Sequence, residues 1–334
     1  MFETYINWSL FMHIPFLQIE PTTRCNYTCG FCAGRHLPQG DLSVHHLARL
    51  LEGIEGLEHV ELQGEGEPLL HEGFFELIGL LRQHFPRVGV STITNGSLFT
   101  DANIERLLDH SLTRINVSME TADAERFRAI RGGKFERVER GIKAFLQRRA
   151  QRGLRLPAVG LAVTVLRDTA TDAVDTVLPF YRKLKLDGGI MIQPLQRMPQ
   201  YMRFYNREMV AQIPGPEQAR QLNQRAAASE DFGQAMRERG IQPGFYERLY
   251  GSTRGRAVCP WLENGLFLNN DGTVTSCCFI KDHEHFALGT VETPIMDICI
   301  RRSAMAEELA QGKIPLACQG CGTAQALATA ASRG

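Results

Sequence analysis

Residues 21–36 read PTTRCNYTCGFCAGRH, and Cys25, Cys29 and Cys32 fall within eight positions of one another. They follow a short apolar run, FLQIE at 16–20, that reads as a strand. A structural zinc site closes with four ligands, usually two paired clusters of Cys or His. An iron–sulfur cluster, in contrast, accepts several thiolates from one compact loop. Spacings of three and two intervening residues let one turn of backbone aim three sulfurs at three corners of a cube. If no fourth ligand exists, one iron keeps an open coordination position for substrate or cofactor. A zinc knuckle completed by a remote group such as His36 is the alternative.

The loop opens a repeating pattern. After FLQIE come a helical stretch at 43–56, HVELQ, a helix at 72–84, VGVSTIT, a helix at 101–110, TRINVSM, a helix at 123–150, VGLAVTVL, a helix at 170–185, and GIMIQPL. Strands alternating with helices imply a parallel sheet clad in helices, and strands of nearly continuous Val, Ile and Leu suit burial on both faces. Six such units are too few for a closed eight-stranded barrel. The predicted fold is therefore α/β, an open partial (β/α)6 TIM-like barrel, with its chemistry at the C-terminal strand ends. Residues 1–195 form that barrel, 196–256 are a polar linking or substrate-covering segment, 257–323 a small cysteine-rich module, and 324–334 a flexible tail.

Composition bounds the function. The 334 residues carry 37 basic and 37 acidic side chains with no run of like charge, so neither nucleic acid nor an acidic membrane is an expected partner. The early apolar stretch NWSLFMHIPFLQI contains His13 and Pro15, lacks a basic leader and ends at Glu20, which excludes a signal peptide or a membrane span. A cytoplasmic location follows, where nine cysteines are metal ligands or reactive thiols rather than disulfides.

Cys25-x3-Cys29-x2-Cys32, with aromatic Phe31 just before the last cysteine, resembles the signature of the radical S-adenosylmethionine (SAM) superfamily. In that family the open iron is chelated by the amino and carboxylate groups of SAM. QGEGEPLL at 63–70 is similar to the family's glycine-rich GGEP element, with Glu65 where the first paired glycine usually stands. The resemblance implies that Gly64 and Gly66 let backbone approach the methionyl part of SAM and that Glu67 accepts its ammonium. It also implies SAM contacts for Asn95 in the TNG that follows the third strand, for Asn116 and Ser118 in NVSMET, and for Arg167 in VTVLRD as a fork on the SAM carboxylate. A helix cap is the alternative role of Ser118 and a surface arginine that of Arg167.

A second cysteine set lies downstream. Cys259, Gly272 and Cys277 stand as C-x12-G-x4-C, and Cys318 and Cys321 as C-x2-C, with hairpin chemistry in the intervening NNDGTV. This arrangement resembles the auxiliary-cluster modules called twitch and SPASM, in the short form with one extra [4Fe-4S] cluster. Cys278 is an alternative ligand to Cys277, and a zinc ribbon satisfies the same spacing. Cys278 and Cys299 are also candidate hydrogen donors to a substrate radical. Tyr201, Arg203, Tyr205, Tyr246 and Arg254 are candidate substrate contacts.

The resemblance implies one-electron reduction of the first cluster by a flavodoxin- or ferredoxin-like donor, release of a 5′-deoxyadenosyl radical, and hydrogen abstraction from an unactivated carbon. Oxidative modification of a ribosomal peptide or protein side chain is the leading expectation, helped by a separate leader-peptide-binding protein because only about fifteen residues precede the first strand. Dehydrogenation of a small alcohol or aminocyclitol, a redox-neutral epimerisation, and a non-catalytic iron–sulfur or zinc protein are the alternatives.

Overall fold

The computed structural model describes residues 13–237 and 244–332. β1 (Phe16–Ile19), β2 (His59–Leu62), β3 (Gly89–Thr94), β4 (Arg114–Met119), β5 (Ala158–Val165) and β6 (Ile190–Pro194) pair in parallel in the order of the chain. Between them run α1 (Val44–Leu51), α2 (Phe74–His84), α3 (Asp101–Asp109), the pair α4 (Ala124–Arg131) and α5 (Phe135–Gln151), and α6 (Leu178–Lys183) after one π turn at 173–177. The result is the expected open partial barrel. Its outward strand positions, such as Leu17, Val60, Val90 and Ile115, are fully buried. Its inward positions are polar: Gln18, Glu61, Ser91 and Arg114 lie in register across four strands.

The expected single helix at 123–150 is two helices, and the cysteine loop is the reason. Gly132 adopts φ +70, and a Cβ there would fall 2.2 Å from Thr28 Oγ1. A Cβ on Gly133 would strike the Tyr27 ring. The chain therefore breaks where it crosses the loop, and α4 ends with its own polar anchor. Arg131 donates from Nε and Nη2 to the Glu120 carboxylate at 2.6 and 2.7 Å, with both side chains buried.

After β6 the chain continues through α7 (Pro199–Met202), α8 (Arg207–Ala211), α9 (Pro216–Ala227), α10 (Glu230–Arg237), α11 (Phe245–Gly251) and α12 (Pro260–Asn264). Residues 238–243 of this segment, together with 1–12 and 333–334, lie outside the described residues. Phe245 and Leu249 of α11 pack with Phe16 and Trp261 at the start of β1, so α11 closes the N-terminal mouth of the barrel.

β7 (Gly265–Leu268) then adds to the free edge of β1, in parallel, and β8 (Thr273–Thr275) and β9 (Gly289–Thr290) follow antiparallel, giving nine strands in one sheet among the described residues. The β7–β8 turn places Gly272 at φ +87, a conformation L side chains rarely adopt. α13 (His283–Phe286), α14 (Ile295–Ala310) and α15 (Gly322–Ala331) complete the chain. Residues 324–331 are thus helical rather than a flexible tail, because Ala324 and Ala328, one turn apart, pack with Leu262 and Leu309.

Two outcomes test this interior. Burial pushes the Glu61 carboxyl up to about 8, and its Oε1 has no hydrogen-bond partner. A carboxyl with its folded pKa above the unfolded value of 4.5 holds its proton more tightly in the fold, so it lowers stability as pH rises from about 4.5 to about 8. Glu61→Gln should therefore raise stability at pH 8 by roughly 4 kcal/mol and leave it nearly unchanged at pH 4, read from urea midpoints. Glu120→Ala strands the buried Arg131 cation and should cost about 3–5 kcal/mol in the same measurement.

Candidate functional site

A cavity of about 220 Å³ opens at the C-terminal ends of the strands, and Cys25, Cys29 and Cys32 line one wall of it. The loop that carries them is shaped by its own backbone: Cys32 N–H donates to Cys29 O at 3.2 Å and Thr28 N–H to Arg131 O at 2.9 Å. The loop after β2 passes directly beneath. A Cβ on Gly66 would sit 2.3 Å from Thr22 O and 2.6 Å from Arg24 O, so only glycine permits the approach. Glu67 N–H donates to Arg24 O at 2.8 Å. The Glu67 carboxylate accepts from Thr94 Oγ1 and Asn95 N, both at 2.7 Å, and from Leu69 N at 3.2 Å. Its oxygens tie the second strand end to the third.

Glu65, the departure from the glycine-rich element, has a partner from the C-terminal part of the chain. Lys281 Nζ lies 2.8 Å from Glu65 Oε1, with Lys281 buried and Glu65 half-buried. Glu65 Oε2 also meets Cys32 Sγ at 3.4 Å and accepts from Gly34 N at 3.3 Å, while Glu20 Oε1 accepts Glu65 N–H at 2.7 Å. Burial would lower the Lys281 ammonium and raise Glu65, but the pair holds Lys281 charged and pulls Glu65 below the ordinary carboxylate range. The barrel end of the cavity is neutral. Tyr246 Oη donates toward Gln63 Oε1 at 2.6 Å and Gln18 Oε1 at 3.0 Å, and Gln18 Nε2 donates to Gln63 O at 2.9 Å.

Of the residues singled out from the sequence, Phe31, Gly64, Gly66, Glu67, Asn95, Ser118, Tyr201, Tyr205, Tyr246 and Cys278 line this cavity. Asn116 and Arg167 do not. Asn116 is covered by Gly160, where a Cβ would meet Asn116 Oδ1 at 2.4 Å, and Arg167 is exposed past the end of β5. Arg203 pairs with Asp282 at 3.5 Å, and Arg254 is exposed. Cys299 is sealed in α14 with 0% exposure, out of reach of the cavity as a hydrogen donor. Gln18, Glu20, Gln63 and Lys281 escaped the sequence reading. Gln18 and Glu20 carried a signal, since polar residues within a strand buried on both faces need partners inside.

The second set converges separately. Cys259, Cys277, Cys318 and Cys321 line a cavity of about 30 Å³, enclosed by Tyr250, Trp261 and Phe279. Cys278 faces the central cavity instead, beside Lys281. The CQGC turn needs Gly320 at φ +79, against Met198 and Pro199. Burial pushes Cys29 up to about 11 and Cys318 up to about 12, the latter helped by the facing Cys259 and Cys321. Crowded thiols with disfavoured anions are what a cationic multi-iron core relieves by binding them as thiolates. Among the described residues no three His, Cys, Asp or Glu side chains converge tightly enough for a single bare ion. The loop's three thiols, with Cys278 on another wall of the same cavity, and the four thiols of the second cavity are donor sets of the kind that iron–sulfur clusters take. No helix among the described residues is long and apolar enough to cross a membrane.

Comparison with known proteins agrees with this geometry. The family model of the radical SAM superfamily matches residues 19–170, and that of the SPASM iron–sulfur cluster-binding domain matches 259–322. A GTP 3′,8-cyclase of Rhizobium meliloti is 31% identical over 196 residues, covering 56% of this chain and 52% of the relative. A probable GTP 3′,8-cyclase of Methanocella arvoryzae is 31% identical over 172 residues, covering 50% and 52%. The chain spans about half the length of the curated relatives it matches. In fold, native anSMEcpe with bound SAM covers 94% of this chain and 88% of its own at a TM-score of 0.66, with 18% identity. SuiB of Streptococcus suis bound to its precursor peptide covers 86% and 65% at 0.64, with 16% identity.

These relatives overturn the expected peptide oxidation, and with it the alternatives attached to that expectation. The curated relatives just described are named for a nucleotide cyclisation. The expectation failed because it took a reaction from the type of cysteine module, and a module that holds a cluster carries no information about the substrate beside it. The assignment of class and cofactors stands: a [4Fe-4S] cluster with SAM, and an auxiliary iron–sulfur cluster. The chain carries a radical SAM domain over residues 19–170 and a SPASM iron–sulfur cluster-binding domain over 259–322, the make-up of a radical SAM enzyme with a C-terminal SPASM module.

Proposed function

We propose that the chain abstracts a hydrogen atom from a compact, polar, uncharged substrate held over Gln18, Gln63 and Tyr246. The observation that carries this reading is that one cavity is lined both by the three loop cysteines and by this neutral amide–phenol group. When bound, the cluster and SAM together supply a 5′-deoxyadenosyl radical, and the class requires a substrate and a reductant. In this reading Cys25, Cys29 and Cys32 hold the first cluster, and Cys259, Cys277, Cys318 and Cys321 the auxiliary one. Backbone at Gly64 and Gly66, with Phe31, Asn95 and Ser118, receives SAM. Glu67 acts through the loops it ties together rather than on the SAM ammonium. Residues 13–195 supply the SAM half of the site and 257–323 the module, and the nine free thiols suit a reducing cytoplasm.

A second reading, cyclisation of a purine nucleotide, is favoured by the 31% identity to GTP 3′,8-cyclases. Charge weighs against it. A triphosphate demands several cations, and the described residues lining the cavity include only Arg131 and Lys281, each already in a buried ion pair with a carboxylate. Calorimetry with GTP and the SAM-loaded enzyme decides: the neutral-substrate reading expects no binding at micromolar GTP, and tight binding would replace it with the nucleotide reading.

The ligand assignment has its own test. After anaerobic reconstitution, the Cys25/Cys29/Cys32→Ala variant should keep about four irons per chain and form no 5′-deoxyadenosine from SAM and dithionite. Cys277→Ser should lose much of the auxiliary iron, whereas Cys278→Ser should keep the full complement. Equal iron loss in the two single variants would sink the assignment.

A further inference from the structure

The radical reading requires an electron from outside the chain, and the cysteine loop presents one face to solvent. Asn26, Thr28 and Gly30 are exposed while Cys25, Cys29 and Cys32, before, between and after them, line the cavity on the inner side, so a carrier on this face is separated from the sulfurs only by the thickness of the loop. Four exposed cations surround it. Arg35 Nη1 donates to Thr28 O at 2.8 Å. Arg137 Nε donates to Ser97 O at 2.8 Å, and Ser97 Oγ accepts from Asn26 at 2.8 Å. Lys134 follows Gly133, which packs on Tyr27, and Arg128 O accepts the N–H of Gly132, which packs on Thr28.

Among the described residues none of Arg35, Arg128, Lys134 and Arg137 has a carboxylate partner, whereas the neighbouring Arg24 and Arg126 are paired with Asp41 and Asp172. Against these four cations stand two exposed acids, Glu125 in α4 and Glu136 at the start of α5, while Asp168 and Glu208 line the groove on the Gly30 side of the loop. The outer side of the second cysteine set differs. Around Cys318 and Cys321 it shows Leu316 at 69% exposure, and Lys313 stands near Glu307 and Glu308 in the chain.

We propose that the outer face of the 25–32 loop, with the end of α4 and the start of α5, is the electron-entry surface and docks an acidic one-electron carrier, a small flavin or iron–sulfur protein. The transfer moves one electron and no atom: the carrier is oxidised by one electron and the loop's cluster reduced by one. Opposite charge on the carrier steers the encounter and makes it sensitive to salt. This inference rests on the radical SAM reading.

The test uses the reconstituted holoenzyme and an acidic flavodoxin as probe, with the dissociation constant measured at low and at high ionic strength. Arg128→Glu combined with Lys134→Glu should weaken binding at low salt by about tenfold or more and remove most of the salt dependence, because two attractions become repulsions. Its iron content and its reduction by dithionite should match the wild type, which separates docking from folding and cluster loading. Lys313→Glu, beside the second cysteine set, should bind as the wild type does. Unchanged binding in the double variant, or weakened binding in Lys313→Glu, overturns the surface. Failure of dithionite to yield 5′-deoxyadenosine from the wild type would instead remove the radical reading on which the surface rests.

Discussion

The constraint on which the site rests is the passage of Gly66 beneath the cysteine loop, where no side chain fits between its α carbon and the carbonyls of Thr22 and Arg24. Two loops from adjacent strands are thereby pressed together, and the hydrogen bonds that follow are consequences of that contact. Glu67 N–H reaches Arg24 O, and the Glu67 carboxylate then spans to the third strand end at Thr94 and Asn95. Asn95 in turn donates to Asn26 Oδ1 at 2.8 Å, which returns the network to the cysteine loop. Three strand ends are joined in a closed circuit of polar contacts, and three thiols are positioned by it. Rigid support of this kind holds a reactive site within the tolerance that its chemistry needs.

A second dependency links the halves of the chain. β7 pairs with β1 in parallel, so the strand that launches the first cysteine loop is also the strand on which the C-terminal module is built. The Lys281–Glu65 pair repeats that link at the cavity itself. A buried ion pair is weak evidence for stability, because desolvation offsets much of the attraction. It is better evidence for register: Lys281 without Glu65, or Glu65 without Lys281, would leave an isolated charge beside Cys32. Glu65 in place of a glycine therefore makes sense only together with a residue more than two hundred positions away.

That separation explains what was legible in the sequence. The six parallel strands, both cysteine sets and the glycine-rich loop were readable because each is a local pattern: period, spacing or turn chemistry within a few residues. The break between α4 and α5 was also written locally, as Gly132–Gly133, but its cause is Thr28 and Tyr27 on another loop. Asn116 and Arg167 were misplaced because a motif position at a strand end fixes the residue and not the direction of its side chain. Gln18, Gln63 and Tyr246 meet from β1, the end of β2 and α11, and nothing short of the folded barrel brings them together. The substrate was illegible for the same reason, since it is recognised by groups that the chain assembles from distant segments.

The neutral end of the cavity has a structural cause that bears on its chemistry. Tyr246 arrives on α11, which closes the barrel mouth through Phe245 and Leu249 against Phe16 and Trp261. With the mouth closed, Glu61, Ser91 and Arg114 of the polar interior row are buried below the cavity and depend on partners within the barrel. Ser91 Oγ donates to Glu61 Oε2 at 2.5 Å and Arg114 donates to Gly188 O at 2.6 Å, while Glu61 Oε1 keeps no partner low in the barrel. Above them Gln18, Gln63 and Tyr246 present amides and a phenol to the cavity, whose other walls carry the cysteines and the side chains of Glu65, Glu67, Arg131 and Lys281. The barrel end of the cavity, lined by Gln18, Gln63 and Tyr246, presents no thiol to a carbon-centred radical on that side, and protection of that kind is the main service a protein gives to radical chemistry.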